Sequence, residues 1–303
     1  MPQARAILVG LNQVGDHYGS WDGQLSGPHY DVADMAIIAE QRGFDVREPL
    51  LNEAATSESL LLGLKDAADD LDVGDSLLFF YSGHGGQIPN VNDDSEPDHL
   101  DETLCLYDRM LIDDELREAW SGFRQGVRIV SITDSCHSHT VFKAPLGLLR
   151  DAPSPVDIDQ LLTAMRTAIA ALVHRAMGRT GVLNGDADRV KAIPDDAALA
   201  TYRAHQSEYD AIQQRLAGCD FPFAASFIHL AACRDNQLAL DGRTNSRFTF
   251  IFKRVWKGGA FQGTYRSLHT QLVKHSPRSQ LPQLEVLGVN STLMIDTPAL
   301  KTS

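Results

Sequence analysis

The sequence predicts an α/β protein in which helices cover both faces of a mostly parallel β-sheet. Three observations support this prediction. Short apolar runs alternate with segments of helical periodicity, two of these runs carry few charges, and polar residues follow those two runs directly. With 303 residues, the chain is long enough to bury a sizeable core.

The first half of the chain supplies most of the sheet. Its apolar runs predict strands over residues 5–11, 44–48, 76–81 and 127–133. Helical periodicity predicts helices over 31–42, 57–71 and about 113–121, with N-cap oxygens from Thr56 and Ser57. Residues 85–103 are rich in Asp, Asn and Pro and predict a long functional loop.

The sheet pattern disappears after Cys136 and returns at residues 224–232, which form another predicted strand. The stretch between them predicts two amphipathic helices, at roughly 156–178 and 195–217, and we interpret it as an insertion. The remaining predicted elements are helices around 246–256 and 260–275 and a last strand near 284–289.

Charge and composition exclude several classes of protein. The 27 Lys and Arg against 40 Asp and Glu give a net charge of −13, which disfavours nucleic-acid binding and favours cationic partners. No secretory signal or apolar stretch of membrane-spanning length is found, so a cytoplasmic protein without membrane association is expected. The four cysteines lack CxxC spacing and are expected to be reduced: Cys105, Cys136, Cys219 and Cys233.

Two polar segments follow buried strands, where open parallel sheets bind their ligands. The first contains His84 among glycines, and the second contains Cys136 after Asp134. Together they offer a base and a nucleophile. Because Asp134 next to the thiol disfavours the thiolate, it is unfavourable there unless a cation lies nearby, and a substrate Arg or Lys would supply that cation. The sequence therefore predicts an acidic pocket beside a nucleophilic cysteine.

Each of these residues also has a simpler interpretation. A cysteine that ends a buried strand is commonly an inert apolar residue, and a histidine after a strand is commonly hydrogen-bonded filler. His137 and His139 with Cys136 also suggest zinc, although an H-x-H pair supplies too few ligands alone. The acidic residues of the 85–103 loop suit either a solvated surface or a calcium site.

The segments YSGHGGQ at 81–87 and DSCHS at 134–138 resemble the catalytic His and Cys motifs of caspase-like cysteine peptidases (peptidase C14), particularly bacterial relatives of the metacaspases. The resemblance continues through residues 25–35, 107–116 and 229–252 and covers most of the chain outside 145–222. It implies the caspase-hemoglobinase fold, a three-layer α/β/α sandwich around a mostly parallel, roughly six-stranded sheet.

The resemblance also implies a role for each matching residue. Cys136 would be the nucleophile and His84 the base, and the backbone amides of Gly85 and Cys136 would form the oxyanion hole. The pocket for the residue before the scissile bond (the P1 residue) would be lined by Asp31, Ser82 and Asp134. These acceptors suit Arg or Lys at P1 and reject Asp.

The chain departs from the family pattern in places that bear on metal binding and on the site. Pro28 stands where metacaspases often have a cysteine, and His139 replaces a glycine. The family's calcium aspartates match Asp101, Asp113 and Asp114, but Lys143 stands in place of the fourth and opposes a cation. No cofactor is expected to be required, and calcium binding is left open.

The resemblance divides the single domain, 1–303, into a large-subunit-like part (1–144), the insertion (145–222) and a small-subunit-like part (223–303). Self-cleavage within the insertion is chemically feasible, because the insertion contains several basic residues after which such an enzyme could cut: Arg166, Arg175, Arg179, Arg189 and Lys191. The resulting prediction is a monomeric endopeptidase that acts on protein or peptide substrates with Arg or Lys. The alternative is a catalytically weak interaction module that binds basic protein segments.

Overall fold

The structure is a computed structural model that describes residues 2–91, 100–136, 189–234 and 237–302. Its strands are β1 (Ala4–Gly10), β2 (Asp45–Val46), β3 (Leu50–Leu51), β4 (Ser76–Ser82), β5 (Gly85–Pro89), β6 (Leu100–Cys105), β7 (Met110–Ile112), β8 (Arg128–Asp134), β9 (Ser226–Ala231) and β10 (Gln283–Leu287). Its helices are α1 (Pro28–Gln41), α2 (Ser57–Asp70), α3 (Asp113–Ser121), α4 (Asp195–Ala204), α5 (Gln206–Leu216), α6 (Arg247–Trp256), α7 (Tyr265–His275) and α8 (Ser291–Met294).

A seven-stranded sheet forms the centre of the molecule, in the order β10-β9-β8-β4-β1-β2, with the short β3 also paired to β1. All of its strand pairs are parallel except β9 with β10, which is antiparallel. This confirms the predicted α/β class and the mostly parallel sheet. The carboxyl ends of β4 and β8 are adjacent, since Ser82 pairs with Asp134.

Side chains that alternate along the strands build a core on each face of this sheet. In β4, Leu77 and Phe79 face one core with helices α2 and α3, whereas Leu78 and Phe80 face the other with α1, α6 and α7. All four side chains are fully buried. A strand buried on both faces has no polar side, which explains the nearly charge-free runs of the sequence.

Residues 85–103 differ from the predicted loop. β5 and β6 pair in antiparallel fashion, and β7 adds to them as a separate three-stranded sheet. The prediction of a continuous loop was wrong because Gly, Pro and acidic residues hide the strand pattern, while the buried Ile88 and Leu104 supply the apolar contacts. Residues 92–99 lie outside the described ranges.

The insertion is described only in part. The predicted helix at 195–217 is present as two helices, α4 and α5, with a break at His205. The predicted helix at 156–178 lies outside the described residues. The division into parts 1–144, 145–222 and 223–303 therefore stays a prediction.

Candidate active site

His84 follows β4 after one intervening residue, Gly83, and is almost fully buried. Its Nε2 atom is 3.0 Å from the Gly23 carbonyl oxygen, and its ring packs edge-on against Trp21 at 4.8 Å between centroids. Burial lowers the pKa of His84 to about 3, although its hydrogen bonds to the backbone of Gly23 and Ala192 act in the opposite direction. The imidazole is therefore neutral at physiological pH, which is the form a general base requires, while burial disfavours the imidazolium that forms when it takes up a proton.

Cys136 lies in the turn after β8 and is fully buried. Its Sγ atom accepts a hydrogen bond from the Ala239 N–H at 3.1 Å. The same Sγ atom donates to the Ala239 carbonyl oxygen at 3.6 Å, so both backbone groups of Ala239 hold the thiol. No hydrogen bond joins Sγ to His84, although both residues belong to the described part of the chain.

The backbones of Gly85 and Cys136 meet at one point, the carbonyl oxygen of Lys191. The Gly85 N–H donates to this oxygen at 3.1 Å, and the Cys136 N–H donates to it at 3.0 Å. Two converging amides are the arrangement that stabilises an oxyanion. The structure therefore brings together the two predicted oxyanion-hole amides, one directly after His84 and the other on Cys136.

The predicted P1 residues also converge, and they enclose the Lys191 side chain. We call this site, formed by Asp31, Ser82, Asp134 and Ser246, the lysine pocket. Lys191 Nζ donates hydrogen bonds of 2.8 Å to the hydroxyl oxygens of Ser82 and Ser246. The same nitrogen is 3.2 Å from Asp134 Oδ1 and 3.7 Å from Asp31 Oδ2.

The carboxylates of the pocket are fixed by further hydrogen bonds. Asp31 Oδ2 accepts from the Ser82 hydroxyl at 2.7 Å and from the Ser246 hydroxyl at 2.6 Å. Asp134 Oδ2 accepts from the Thr249 hydroxyl at 2.8 Å. The acceptors are therefore held in position around the ammonium group, which favours a positively charged occupant.

Burial determines the electrostatics of the pocket. Lys191, Asp31 and Asp134 are all 0 % exposed, so each charge would be costly without its partners. Burial raises the pKa of Asp31 to about 6, with a further increase from Asp134, while Lys191 and the serine hydroxyls lower it. One ammonium group thus compensates two buried carboxylates.

Three contributors to this site were missed in the sequence. Ser246 and Thr249 come from the N-terminus of α6, and the sequence marks Lys191 only as one of several cleavable basic residues. Lys191 is 109 residues from Ser82 and 55 from Ser246, and no local pattern links such positions. Only the folded chain reveals that they meet.

The aspartates of the suggested calcium site are buried and lie at the β6 and α3 segments. Asn90 Nδ2 donates to Asp101 at 2.6 Å, and Asp113 and Asp114 begin α3. The structure does not describe Lys143, His137 or His139. The suggested calcium site and the suggested zinc site therefore both stay predictions.

A different group within the described ranges has ligand atoms within 4.8 Å of one another: His17, His205 and Glu208. His17 and His205 line a cavity of about 590 Å³, and Trp21, which contacts His84, lines it as well. The group is separate from the lysine pocket.

Across the part of the chain that the structure describes, no helix combines the length and apolar character needed to cross a bilayer.

Comparison with known proteins points to one family. Residues 3–292 match the family model of the caspase domain, peptidase C14. The crystal structure of protein GSU0716 from Geobacter sulfurreducens is 35% identical, with a TM-score of 0.81 and full coverage of both chains.

Among curated proteins, Metacaspase-1 of Lodderomyces elongisporus is 26% identical over 92% of this chain, and Metacaspase-1 of Saccharomyces cerevisiae is 27% identical over 94%. The chain spans 64% and 67% of the lengths of these two relatives.

Proposed function

Because the chain belongs to the caspase domain family of peptidases, we propose that it is a cysteine endopeptidase that cleaves peptide bonds after Lys or Arg. One observation carries the proposal: the Lys191 carbonyl accepts hydrogen bonds from the Gly85 and Cys136 amides while its ammonium group fills the lysine pocket. A lysine in this position has its carbonyl where an oxyanion would form and its charge where a P1 side chain would bind.

The proposed chemistry uses Cys136 and His84 in sequence. His84 takes the thiol proton as Sγ attacks the carbonyl carbon, and the two amides stabilise the oxyanion. The C–N bond then breaks, and the imidazolium gives its proton to the leaving amine. Water attacks the thioester, again with His84 as base, which releases the carboxylate product and the free thiol.

The geometry of the pocket supports a preference for Lys and Arg over neutral or acidic residues. An acidic P1 side chain would bring a third negative charge next to Asp31 and Asp134, with no donor cation to offset it. A neutral side chain would leave both buried carboxylates without a counter-ion. Protein or peptide substrates with Lys or Arg are therefore the proposed partners of this site.

A peptide assay tests the proposed function. Fluorogenic peptides that end in Lys, Arg or Asp are incubated with the wild-type protein and with the Cys136→Ala and His84→Ala variants. We expect hydrolysis of the Lys and Arg peptides by the wild type alone. Activity that survives in Cys136→Ala, or a preference for the Asp peptide, would contradict the proposal.

The alternative function is an interaction module that holds a basic protein segment in the lysine pocket without cleaving it. The buried acidic pocket supports this alternative as well. It predicts no Cys136-dependent hydrolysis of any peptide, together with binding of a Lys peptide by the wild type and Cys136→Ala alike.

The proposal includes three further features of the working protein. It requires no cofactor and acts as a monomer. It resides in the cytoplasm, and the four free cysteines are in keeping with that reducing compartment. Self-cleavage within residues 145–222 is part of the same proposal. Comparing peptide hydrolysis with calcium and with a chelator tests whether calcium regulates the enzyme through Asp101, Asp113 and Asp114.

A further inference from the structure

The group formed by His17, His205 and Glu208 brings together two parts of the chain that are far apart in sequence. His17 lies in a single turn of 3-10 helix, Asp16–Tyr18, in the loop between β1 and α1. His205 is the N-cap residue of α5, and Glu208 belongs to its first turn. The two histidines are half-buried and Glu208 is exposed. The group therefore joins the β1–α1 loop to helices α4 and α5.

The start of α5 fixes His205 and Glu208 relative to each other. The Glu208 N–H donates to the His205 carbonyl oxygen at 2.9 Å. Residues three apart are neighbours on a helix surface, so the imidazole and the carboxylate extend from the same side of α5. The His17 ring lies over the His205 ring, with 3.6 Å between the centroids and 16° between the planes.

Tyr209 supports His17 from inside the protein. The Nε2 atom of His17 is 3.0 Å from the Tyr209 hydroxyl oxygen, and Tyr209 is fully buried. The Met110 N–H also donates to this hydroxyl oxygen, at 3.2 Å, and holds it in place. When Nε2 of His17 carries the proton and donates to the hydroxyl, the lone pair of Nδ1 is left for an ion. An oxygen that accepts the second N–H of a histidine ligand is the usual support of a metal site.

We propose that His17, His205 and Glu208 bind one divalent transition-metal ion of the zinc class, and that this ion fastens the β1–α1 loop to helices α4 and α5. Two imidazole nitrogens and one carboxylate oxygen are a ligand set that zinc favours, whereas calcium prefers six to eight oxygens. The net charge of −13 favours a cationic ligand. The metal site does not depend on the proposed peptidase activity.

Binding of the ion requires a small rearrangement of the two rings. The three ligand atoms lie within 4.8 Å of one another, and the ligand atoms of one tetrahedral zinc ion are about 3.3 Å apart. Because the lone pairs of two stacked rings do not meet at one point, the His205 ring turns about its side-chain bonds when the ion binds. The cavity of about 590 Å³ that both histidines line leaves room for this rotation and for a water ligand.

The loop that carries His17 also contacts His84. The Gly23 carbonyl oxygen is 3.0 Å from His84 Nε2, and the Trp21 ring packs edge-on against the His84 ring. Trp21 lines the same cavity as the two histidines of the metal site. An ion that restrains this loop therefore also restrains the backbone and the ring that hold His84.

Calorimetric titration with zinc tests the ligands. The titration uses Cys136→Ala as the parent protein, so that the thiol next to His84 does not bind the metal. We expect one zinc ion per chain. His205→Gln and Glu208→Gln are each expected to weaken binding at least about 30-fold, since loss of an outer partner alone costs about 10- to 100-fold.

The matched control is His275→Gln, which alters an exposed histidine at the end of α7 and should bind zinc like the parent. Glu208 is exposed, so its substitution leaves the fold intact and the comparison valid. Absence of zinc binding in the parent, or equal zinc affinity in the parent and in Glu208→Gln, would overturn the site.

Two further titrations test the chemistry of the site. Tyr209→Phe keeps the ring and removes the hydroxyl that accepts from His17, so zinc affinity is expected to fall about tenfold. Excess calcium is expected to leave the zinc affinity unchanged, because two of the three ligands are nitrogens. Unchanged affinity in Tyr209→Phe, or displacement of zinc by an equal concentration of calcium, would contradict the proposed coordination.

Hydrogen exchange tests whether the ion joins the two parts of the chain. Zinc is expected to slow amide exchange in both 14–25 and 195–210 of the Cys136→Ala protein, and in neither segment of Glu208→Gln. Slower exchange in only one of the two segments would show that the ion does not connect them and would overturn the inference. None of these measurements requires an active enzyme, so their outcome is independent of the outcome of the peptide assay.

Discussion

Single residues of the lysine pocket combine burial with charge. Asp31 and Asp134 are removed from water, and the nearest described cation is the ammonium group of Lys191. Hydroxyl donors from Ser82, Ser246 and Thr249 satisfy carboxylate oxygens that face the pocket. Because donors and acceptors are positioned before an external substrate arrives, we expect substitutions at these residues to have large effects on substrate binding.

Asp134→Asn tests the charge of the pocket. The amide keeps nearly the same shape, and its oxygen still accepts from Thr249, but one negative charge next to the P1 cation is lost. We expect kcat/KM for a Lys peptide to fall at least about 30-fold, since loss of one partner from a buried charge pair costs about 2 kcal/mol or more. Asp296→Asn, at an exposed ion pair with Arg266, is the matched control and should leave kcat/KM unchanged. A decrease of less than about threefold in Asp134→Asn would contradict the expectation.

The raised pKa of the Asp31 carboxyl group predicts how peptide hydrolysis depends on pH. Its pKa is raised to about 6, so the carboxylate takes up a proton as pH falls through this value and the pocket loses a negative charge. His84 does not titrate in this range because its pKa is lowered to about 3. We therefore expect kcat/KM for Lys peptides to decline below about pH 6, and the decline to be absent in Asp31→Asn. An unchanged acidic limb in that variant would assign it to another group.

The sequence identified several of these residues but not the complete site. The resemblance at His84, Cys136 and Asp31 rests on short motifs whose order along the chain can be recognised without a structure. Ser246 and Thr249 carry no such motif, because a serine and a threonine at the start of a helix are common N-terminal residues. Their role depends on where α6 lies relative to β4 and β8.

At the level of elements, the turns that follow β4 and β8 tolerate very little extra volume. A Cβ atom at Gly85 would lie 2.0 Å from the Cys136 carbonyl oxygen, a backbone atom that is more costly to displace than the end of a side chain. In α2, by contrast, a Cβ atom at Gly63 would have its nearest contact at 3.9 Å. A Cβ atom is therefore sterically excluded at Gly85 and accommodated at Gly63.

Gly85→Ala is expected to abolish peptide hydrolysis and to lower the free energy of unfolding by about 1–3 kcal/mol, as overpacking does. Gly63→Ala is expected to raise it by about 0.5–1 kcal/mol, because alanine favours the helix over the unfolded chain. Urea denaturation and the peptide assay measure both effects. Normal activity in Gly85→Ala would show that the oxyanion-hole amides do not depend on this close approach.

The β5–β6 hairpin illustrates the limit of prediction at this scale. Alternation of apolar residues is weak in Gly85–Pro89, and the acidic residues that follow are typical of a loop. β5 forms because β6 pairs with it at five residue positions. Nearly all residues of both strands are buried. Pairing with a distant strand thus overrides the local pattern.

At the scale of the whole molecule, aromatic packing joins the helices to the sheet. Trp120 of α3 is fully buried, and its ring centroid is 5.4 Å from those of Phe79 in β4 and Phe227 in β9. One side chain therefore connects the strand before His84 with a strand from the far end of the chain. We expect Trp120→Ala to lower the free energy of unfolding by about 3–5 kcal/mol.

Leu62→Ala is the control for this prediction, because Leu62 is exposed and its truncation should change stability by less than about 0.5 kcal/mol. Thermal or chemical unfolding of both variants provides the measurement. A loss of less than about 1 kcal/mol in Trp120→Ala would show that the aromatic contacts do not hold the two layers together.

The sequence by itself determined the α/β class, most of the strands and helices, and the motifs around His84 and Cys136, since each depends on neighbouring residues along the chain. The tertiary structure alone decided that Lys191 lies between Asp31 and Asp134, that Ser246 completes their hydrogen bonds, and that two separate amides share one carbonyl oxygen. The physical reason is that these contacts join residues far apart in sequence. Their distances depend on how all the strands and helices pack, and no local pattern records that packing.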